Sequence, residues 1–92
     1  MIKTFKHRGL KRFHHKDDPS LIGSSIRNGV QDVLSLLEEA VVIKDLDLPG
    51  YRLHRLKGPL KGFWSMTVNA KWRIIFRLDD GHVYDVELID YH

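Results

Sequence analysis

The chain has 92 residues and a formal net charge of +3, and it contains no cysteine. This length supports a single domain over residues 1–92, and the absence of cysteine excludes disulfide frameworks, zinc ribbons and thiol catalysis. No segment reaches the ~20 apolar residues of a membrane span, and the N-terminus lacks the apolar core of a signal peptide, so we expect a cytoplasmic protein that does not bind membranes.

The first half of the chain predicts a short strand and two helices. Residues 1–6 have the pattern of a short strand, and residues 7–16 place two apolar side chains three apart, as on one face of a helix. Asp18 is suited to cap a second helix that begins at Pro19 and extends to Ala40. The apolar side chains of the two predicted helices are Leu10, Phe13, Ile26, Val30, Val33, Leu34 and Leu37.

The second half of the chain predicts an antiparallel meander of about four strands, which follows a turn at Pro49-Gly50. The predicted strands span residues 51–57, 63–69, 71–78 and 82–89. Asp79-Asp80-Gly81 is a hairpin turn before the last strand, on which Tyr84, Val86 and Leu88 are expected to share one face. The sequence therefore predicts an α+β fold in which two N-terminal helices pack on one face of an antiparallel sheet.

Positive charge is concentrated in two blocks that contain no acidic residue, residues 1–16 and 48–78. Because such a block in a small domain is typical of a surface that faces a polyanion, we expect residues 48–78 to bind RNA. The alternative is that these cations pair with acidic residues of segments 17–47 and 79–92, which would leave an ordinary mixed surface. The RNA-binding candidates in this block are Arg52, Arg55, Lys61, Lys71 and Arg77.

Alternation along the third strand of the meander places Arg73 and Arg77 on the side opposite Trp72, Ile74 and Phe76. With the helices covering the apolar side, these arginines would lie on an open, cationic sheet face, which suits RNA binding. For Arg77, a solvated arginine without a ligand is the simpler interpretation.

Two clusters contain residue types that are able to cleave RNA. His54 and Lys57 are three apart, so they share a site only if the strand ends near Lys57, which Gly58-Pro59 favours. The second cluster is Asp90-Tyr91-His92, in which the outer two residues alternate onto one face. The histidines show no metal-ligand spacing such as H-E-x-x-H, so we expect neither a metal site nor a cofactor.

Metal-free cleavage of RNA needs a base for the ribose 2′-hydroxyl, an acid for the departing 5′-oxygen, and cations beside the phosphate. Histidine suits the acid and base roles near neutral pH. Lys57 and Arg73 suit stabilisation of the phosphate charge, and Tyr91 is able to stack on a base or donate a proton. The alternatives are that Arg73 pairs with an acid such as Asp85 or Glu87, and that the C-terminal segment is a frayed tail.

Several segments, in this order and at these spacings, resemble the HigB toxins of the RelE/ParE superfamily. They are Met1 to Leu10, Tyr51-Arg52-Leu53-His54-Arg55-Leu56-Lys57-Gly58, Gly62 to Ile74, and Asp90-Tyr91-His92. The resemblance covers nearly the whole chain, although residues 17–47 match in pattern alone. It implies the RelE-like fold, cleavage of messenger RNA in the A site of the 70S ribosome, and a HigA-like helix-turn-helix antitoxin through which alone the protein would contact operator DNA.

The resemblance assigns the active site to His54, Lys57, Arg73, Asp90, Tyr91 and His92. His54 and Lys57 would bind and polarise the phosphate, and Arg73 would contact the same group. His92 would transfer a proton, with Asp90 orienting its ring or sharing its role. Two alternatives stay open: a ParE-like toxin that inhibits DNA gyrase, which generally lacks this set of residues, and a catalytically inactive interaction module.

Overall fold

Two helices precede a four-stranded antiparallel sheet in the computed structural model, which describes residues 1–90. The helices are α1 (Arg8–Lys16) and α2 (Arg27–Glu39). The strands lie in the sheet in chain order, as β1 (His54–Arg55), β2 (Trp64–Thr67), β3 (Trp72–Asp79) and β4 (His82–Asp90). The predicted α+β architecture is confirmed. Across the described residues, no helix is both long enough and apolar enough to cross a membrane.

Both helices bury their apolar sides against the same face of the sheet. Leu10 of α1 and Leu37 of α2 are fully buried, and they belong to one cluster with Met66, Ile74 and Phe76 of the sheet. Burial of one side chain of this size contributes roughly 1.5–3 kcal/mol, so this layer holds the fold together. The helix residues predicted to be apolar contacts are all buried: Leu10, Phe13, Ile26, Val30, Val33, Leu34 and Leu37.

The second helix begins at Arg27, so its predicted start at Pro19 is wrong. The Asp18 carboxylate accepts a hydrogen bond from the backbone N–H of Ser20 at 3.0 Å. An aspartate that bonds to the backbone two residues further on forms a turn, and this local bond competes with the capping of a helix. A short 3-10 turn at Ser24–Ile26 then leads into α2.

Residues 1–6 run parallel to β4 and cover its outer edge. Two isolated bridges join Ile2 to Val83 and Phe5 to Val86. Backbone N–H groups of the segment donate to the carbonyl oxygens of Val83 and Val86 at 2.7 and 2.8 Å. The strand predicted here is therefore present as an edge pairing through two bridges and not as a continuous strand. This pairing satisfies backbone groups that a free sheet edge would expose.

A β-bulge in β4 changes which of its side chains reach the core. Between the pairs Ile75–Glu87 and Arg77–Tyr84, β4 has one residue more than β3. The bulge lies at Asp85, whose φ is 55°. Because the extra residue shifts the alternation, Val83 and Val86 are both buried on the helix side. Tyr84 was predicted to share a face with Val86 and Leu88, and this prediction is wrong because the bulge moves Tyr84 to the other face.

The predicted hairpin joins β3 to β4. Asp79 pairs with His82, which leaves Asp80 and Gly81 as a two-residue loop. Both loop residues have a positive φ, 49° and 78°, which is the geometry of the type I′ turn that Asp-Gly favours. The hairpin fixes the register that brings the end of β4 beside the start of β3.

Candidate functional site

The sheet face that points away from the helices carries the arginines of β3. Ile74 and Phe76 belong to the helix-side core, so Arg73, Ile75 and Arg77 lie on the opposite face, as predicted. We call this surface the open face; it comprises these three side chains and their neighbours on the adjoining strands. Ile75 is only 1% exposed although it lies outside the helix-side cluster, so other side chains cover it there.

One row of residues crosses the open face from β1 to β4. In order across the sheet, the row is His54, Ser65, Ile75 and Glu87. Ser65 is 2% exposed, whereas His54 is exposed at the edge formed by β1. His54 therefore lies at the rim of the open face, where a bound molecule is able to reach its ring.

The imidazole ring of His54 is oriented by its own backbone. Its Nδ1 atom lies 3.0 Å from the carbonyl oxygen of Arg52. The φ of Arg52 is 50°, which is not extended backbone, so the strand predicted for residues 51–57 is present only over His54–Arg55. Because a carbonyl oxygen can only accept, Nδ1 carries the hydrogen, and Nε2 is the acceptor nitrogen of the neutral ring. Such a ring is suited to take a proton from a hydroxyl group.

Lys57 lies beyond the end of β1, as a shared site with His54 requires. The N–H of Leu56 donates to the carbonyl oxygen of Phe63 at 2.9 Å and closes the loop between β1 and β2. This loop forms a depression of 290 Å³ that Lys57 lines together with two other cations, Arg55 and Lys61. The guanidinium of Arg55 also lies 5.3 Å from the ring centre of Trp64.

Arg73 is held in place by the loop that connects β2 to β3. Its side chain is nearly buried, and Nη1 donates to the carbonyl oxygens of Asn69 at 2.6 Å and Trp72 at 3.2 Å. Of the acidic partners weighed from the sequence, Asp85 pairs instead with Arg77. The loop carbonyls thus fix the direction of the Arg73 guanidinium.

Asp90 lies at the same end of the sheet as Arg73. It pairs with Trp72 in the register, one position beyond Ile89, which pairs with Arg73. Lys71 Nζ lies 3.8 Å from Asp90 Oδ2. The sheet therefore places Lys71, Arg73 and Asp90 at one end, where β3 begins and β4 ends, with Asp90 opposite Trp72 on the helix side and Arg73 on the open face. The predicted catalytic residues Tyr91 and His92 lie outside the described residues.

The two groups of candidate residues lie at different places on the sheet. Arg73 is two strands from His54 and two residues along, so their Cα atoms are roughly 12 Å apart on standard sheet spacings. A substrate that contacts both groups must cross the face diagonally.

Arg77 lies at the far end of β3 and is already engaged. Its Nε and Nη2 atoms are each 2.8 Å from Asp85 Oδ2, and its guanidinium lies 5.9 Å from the ring centre of Tyr84. The pairing reduces the positive charge at this end of the open face. Arg52, in contrast, is an exposed side chain beside His54.

Sequence patterns missed a contact between Lys6 and Phe63. Lys6 Nζ lies 5.3 Å from the centre of the Phe63 ring, although Lys6 belongs to the segment beside β4 and Phe63 precedes β2. The two side chains therefore approach each other across β3 and β4. A half-exposed aromatic ring beside a cation is suited to stacking on an RNA base. In the sequence, Lys6 is one of several cations in the acid-free block of residues 1–16, and no sequence pattern indicates a contact with Phe63.

Within residues 1–90, no three His, Asp or Glu side chains are grouped so that they could hold a metal ion.

Comparison with known proteins gives matches over nearly the whole chain. A family model described as the RelE-like toxin HigB of type II toxin–antitoxin systems matches residues 3–92. The chain is 40% identical over 92 residues to a Proteus vulgaris protein named endoribonuclease HigB, with 100% of both chains covered. It is also 40% identical over 83 residues to toxin HigB-1 of Vibrio cholerae serotype O1, with 88% of this chain and 87% of the relative covered.

A solved structure with low sequence identity shares the fold. In the YoeB–YefM complex from Staphylococcus aureus, one chain superimposes with a TM-score of 0.65 at 17% identity, and 100% of this chain and 95% of that chain are covered. At this identity the likeness concerns the arrangement of helices and strands. It supports the RelE-like fold independently of the sequence matches.

Proposed function

The chain belongs to the HigB-like toxins, the RelE-like toxins of type II toxin–antitoxin systems, and we propose that it is an endoribonuclease that cleaves messenger RNA in the A site of the ribosome. The name of the Proteus vulgaris relative supports the nuclease activity. The observation that carries the site is the position of Lys71, Arg73 and Asp90 at one end of the sheet, where Asp90 directly precedes Tyr91-His92 in the chain. We assign this activity to one domain, residues 1–92, in the cytoplasm, where ribosomes translate.

The proposed reaction is an attack of the ribose 2′-hydroxyl on the neighbouring phosphorus. A bond forms between the 2′-oxygen and phosphorus while the bond from phosphorus to the departing 5′-oxygen breaks. Neutral His54 accepts the hydroxyl proton at Nε2, and the hydrogen bond between its Nδ1 and the Arg52 carbonyl supports this role. The resemblance implied binding and polarisation of the phosphate by His54, and this stays part of the proposal. His92 gives a proton to the 5′-oxygen, and Asp90 orients its ring.

Cations stabilise the charge that develops on the phosphate oxygens. We assign this role to Lys57 and Arg73, and the fixed guanidinium of Arg73 supports it because a preorganised donor needs no rearrangement during the reaction. Tyr91 stacks on a base of the messenger RNA. Further backbone contacts are assigned to the exposed cations near these residues, Arg52, Arg55, Lys61 and Lys71.

The proposed partners are the 70S ribosome with its messenger RNA and a cognate HigA-like helix-turn-helix antitoxin. Membership of a toxin–antitoxin family supports an antitoxin, and the Staphylococcus aureus structure is itself a complex of YoeB with YefM. The protein reaches operator DNA only through the antitoxin.

The test is a cleavage assay with purified ribosomes, a defined messenger RNA and an occupied P site. Wild type is compared with His92→Ala, Lys57→Ala and Arg73→Ala, and Lys44→Ala is a matched control at an exposed cation outside the open face. We expect wild type and the control to cut at A-site codons and the three site variants to cut at least 100-fold more slowly, on the scale of losing one transition-state donor.

Naked messenger RNA is assayed in parallel, because the ribosome dependence is a separate part of the proposal. Equal cleavage with and without ribosomes would contradict the ribosome dependence while leaving the nuclease activity in place. A folded wild type that cuts none of many A-site codons would contradict the nuclease proposal as a whole, and inhibition of DNA gyrase would be measured next.

A further inference from the structure

The loop that connects β2 to β3 is shaped by the side chain of Asn69. Its Oδ1 atom accepts hydrogen bonds from the backbone N–H groups of Lys71 and Trp72, both at 2.9 Å. An asparagine that bonds to the backbone two residues further on forms a turn without the help of a backbone carbonyl. The Asn69 side chain therefore fixes the path of the chain at the residues that lead into β3.

The same residue presents its own backbone carbonyl to Arg73. Arg73 Nη1 donates to the carbonyl oxygen of Asn69 at 2.6 Å and to the carbonyl oxygen of Trp72 at 3.2 Å. These two acceptors belong to residues that the bond from the Trp72 N–H to Asn69 Oδ1 ties together. A movement of the loop at Asn69 therefore displaces both acceptors of the guanidinium at once.

The second helix supports the beginning of the loop. Gly29 of α2 lies directly against Val68, because a Cβ at position 29 would come within 3.0 Å of Val68 Cγ1 and within 3.4 Å of its carbonyl oxygen. The N–H of Val68 also donates to the carbonyl oxygen of Trp72 at 3.0 Å. Because the loop rests on the helix layer at Val68, the Asn69 side chain is able to transmit this fixed position to residues 71 and 72.

The direction of a long side chain depends on acceptors that are themselves fixed. An arginine loses much rotamer freedom when it is held in one direction. Arg73 is nearly buried, whereas Asn69 is exposed at the surface of the loop. A charge that is aimed before the reaction stabilises the transition state without rearrangement, and a displacement of about 1 Å is able to cost 100-fold in rate. The loop that aims Arg73 is therefore expected to affect the rate of cleavage.

We propose that Asn69 is a positioning residue for the cleavage reaction, because its side chain holds the loop carbonyls that aim the Arg73 guanidinium at the phosphate of the messenger RNA. This inference rests on the proposed function, in which Arg73 stabilises the charge on the phosphate oxygens. Asn69 acts through Arg73 and makes no contact with the RNA itself.

The test compares Asn69→Ala, which removes the side-chain acceptor, with Asn28→Ala. Asn28 is the other asparagine of the chain and is exposed on α2, so it is a matched control. Single-turnover cleavage is measured over a series of ribosome concentrations, and thermal unfolding checks that each variant is folded. We expect Asn69→Ala to lower the rate at saturation about tenfold, because Arg73 is then aimed correctly in a fraction of the molecules. The ribosome concentration for half-maximal rate should stay at the wild-type value.

Asn69→Asp keeps an acceptor oxygen at the same place and should bring the rate to within about threefold of wild type. Its added charge is exposed and is screened by salt. If Asn69→Asp were as slow as Asn69→Ala, the amide NH₂ group and not the acceptor would matter, and the proposal would be overturned. An unchanged rate for Asn69→Ala, or an equal loss in the Asn28→Ala control, would overturn it as well.

A double variant distinguishes an effect through Arg73 from an independent one. In the Arg73→Ala background, Asn69→Ala should cause no further loss of rate, since the group that it positions is already absent. Effects that multiply in the double variant would show that Asn69 acts on its own and would contradict the proposal. A raised half-maximal ribosome concentration with an unchanged rate at saturation would also contradict it, because Asn69 would then contact the RNA directly.

A measurement on the free protein separates this inference from the proposed function. The order parameter of the Arg73 Nε–H bond is measured by ¹⁵N NMR, and we expect a rigid bond in wild type and Asn28→Ala and a value below about 0.6 in Asn69→Ala. If wild type fails to cut while this value falls in Asn69→Ala, the nuclease proposal fails and the positioning of Arg73 by Asn69 stands. If wild type cuts and Arg73 is equally rigid in Asn69→Ala, the nuclease proposal stands and this inference is overturned.

Discussion

The Nδ1 atom of His7 accepts a hydrogen bond from the backbone N–H of Leu10 at 3.1 Å and thereby caps α1. Only an unprotonated Nδ1 is able to accept, so this cap requires the neutral ring with its hydrogen on Nε2. Burial lowers the pKa of His7, while the negative charge of Glu87 acts in the opposite direction. The cap and the lowered pKa both mean that folding favours the neutral form of His7.

The stability of the protein is therefore expected to decrease as the pH falls below the ordinary histidine pKa of 6.5. The folded-state pKa of His7 is lower, so the unfolded chain takes up the proton first. The contribution of His7 is fully present above pH 6.5 and is lost as the pH falls from there through the folded-state pKa. Urea unfolding of wild type is compared with His7→Asn, whose cap does not titrate and should flatten this part of the curve.

Glu38 contributes to the pH dependence of stability in a more acidic range than His7, so it does not interfere with the comparison of wild type and His7→Asn. Burial acts to raise its pKa, but hydrogen bonds from His14 at 2.8 Å and from the Ile2 N–H outweigh burial, and the pKa of Glu38 is lowered overall. Its contribution is present above the usual glutamate pKa and is lost as the pH falls through the folded-state pKa. Parallel curves for wild type and His7→Asn between neutral pH and about pH 5 would contradict the role of His7.

Gly9→Ala is expected to destabilise the protein by about 1–3 kcal/mol, although alanine is the better helix former. A Cβ at Gly9 would come within 2.9 Å of the capping ring at His7 Cε1 and within 3.1 Å of Ile22. Gly23→Ala is the matched control, because a Cβ there meets nothing within 4 Å, and it should be neutral or slightly stabilising. Equal free energies of unfolding for the two variants would show that the His7 ring moves away from an added Cβ at position 9 without cost.

Different substitutions at Asp85, the bulge residue, are expected to lower the free energy of unfolding by clearly different amounts. Its φ of 55° is tolerated by asparagine but strained for a β-branched residue, so Asp85→Val should cost about 2–3 kcal/mol. Asp85→Asn loses the partly exposed ion pair with Arg77 and should cost about 1 kcal/mol or less. Chemical unfolding measures both, and a similar cost for the two variants would mean that backbone conformation at Asp85 matters little.

Arg73→Lys is expected to lower the rate of ribosome-dependent cleavage by roughly 100-fold, although the charge is kept. Lysine lacks the planar guanidinium that bonds to the carbonyls of Asn69 and Trp72, so its charge would not be held in position. Arg77→Lys is the matched control on the same strand and should change the rate by less than about twofold, in keeping with a surface pair. Single-turnover rates with saturating ribosomes give the comparison.

The free energy of unfolding provides a second test of the role of Arg73. Its substitution leaves loop carbonyls without their donor and is expected to lower the free energy of unfolding by about 1–2 kcal/mol. A loss of stability without a loss of cleavage would identify Arg73 as a brace for the loop between β2 and β3 and not as a phosphate ligand.

The parts of the fold that sequence predicts are those set by local patterns. The apolar spacing of α2 predicts its buried side, and Asp80-Gly81 predicts a type I′ hairpin from conformational preference alone. The start of α2 was missed because an aspartate and a proline are equally suited to a turn, and the hydrogen bond from Ser20 to Asp18 decides between the two.

Features that depend on contacts distant in sequence were not predictable. The position of Arg73 on the open face follows from alternation, but its hydrogen bonds to loop carbonyls follow from how the loop closes. The bulge at Asp85 shifts the pattern by one residue, so the alternation that worked on β3 fails on β4 at Tyr84. The contact between Lys6 and Phe63 needs the whole sheet to be assembled.

The pairing of residues 1–6 with β4 also has a consequence for the timing of synthesis. Ile2 and Phe5 are made about 80 residues before their partners Val83 and Val86. At synthesis rates of 5–20 residues per second, this edge stays incomplete for roughly 4–16 s. Contacts between such distant segments also slow folding itself. The fold therefore stays structurally immature during this interval, which separates the synthesis of residues 1–6 from any activity of the folded toxin.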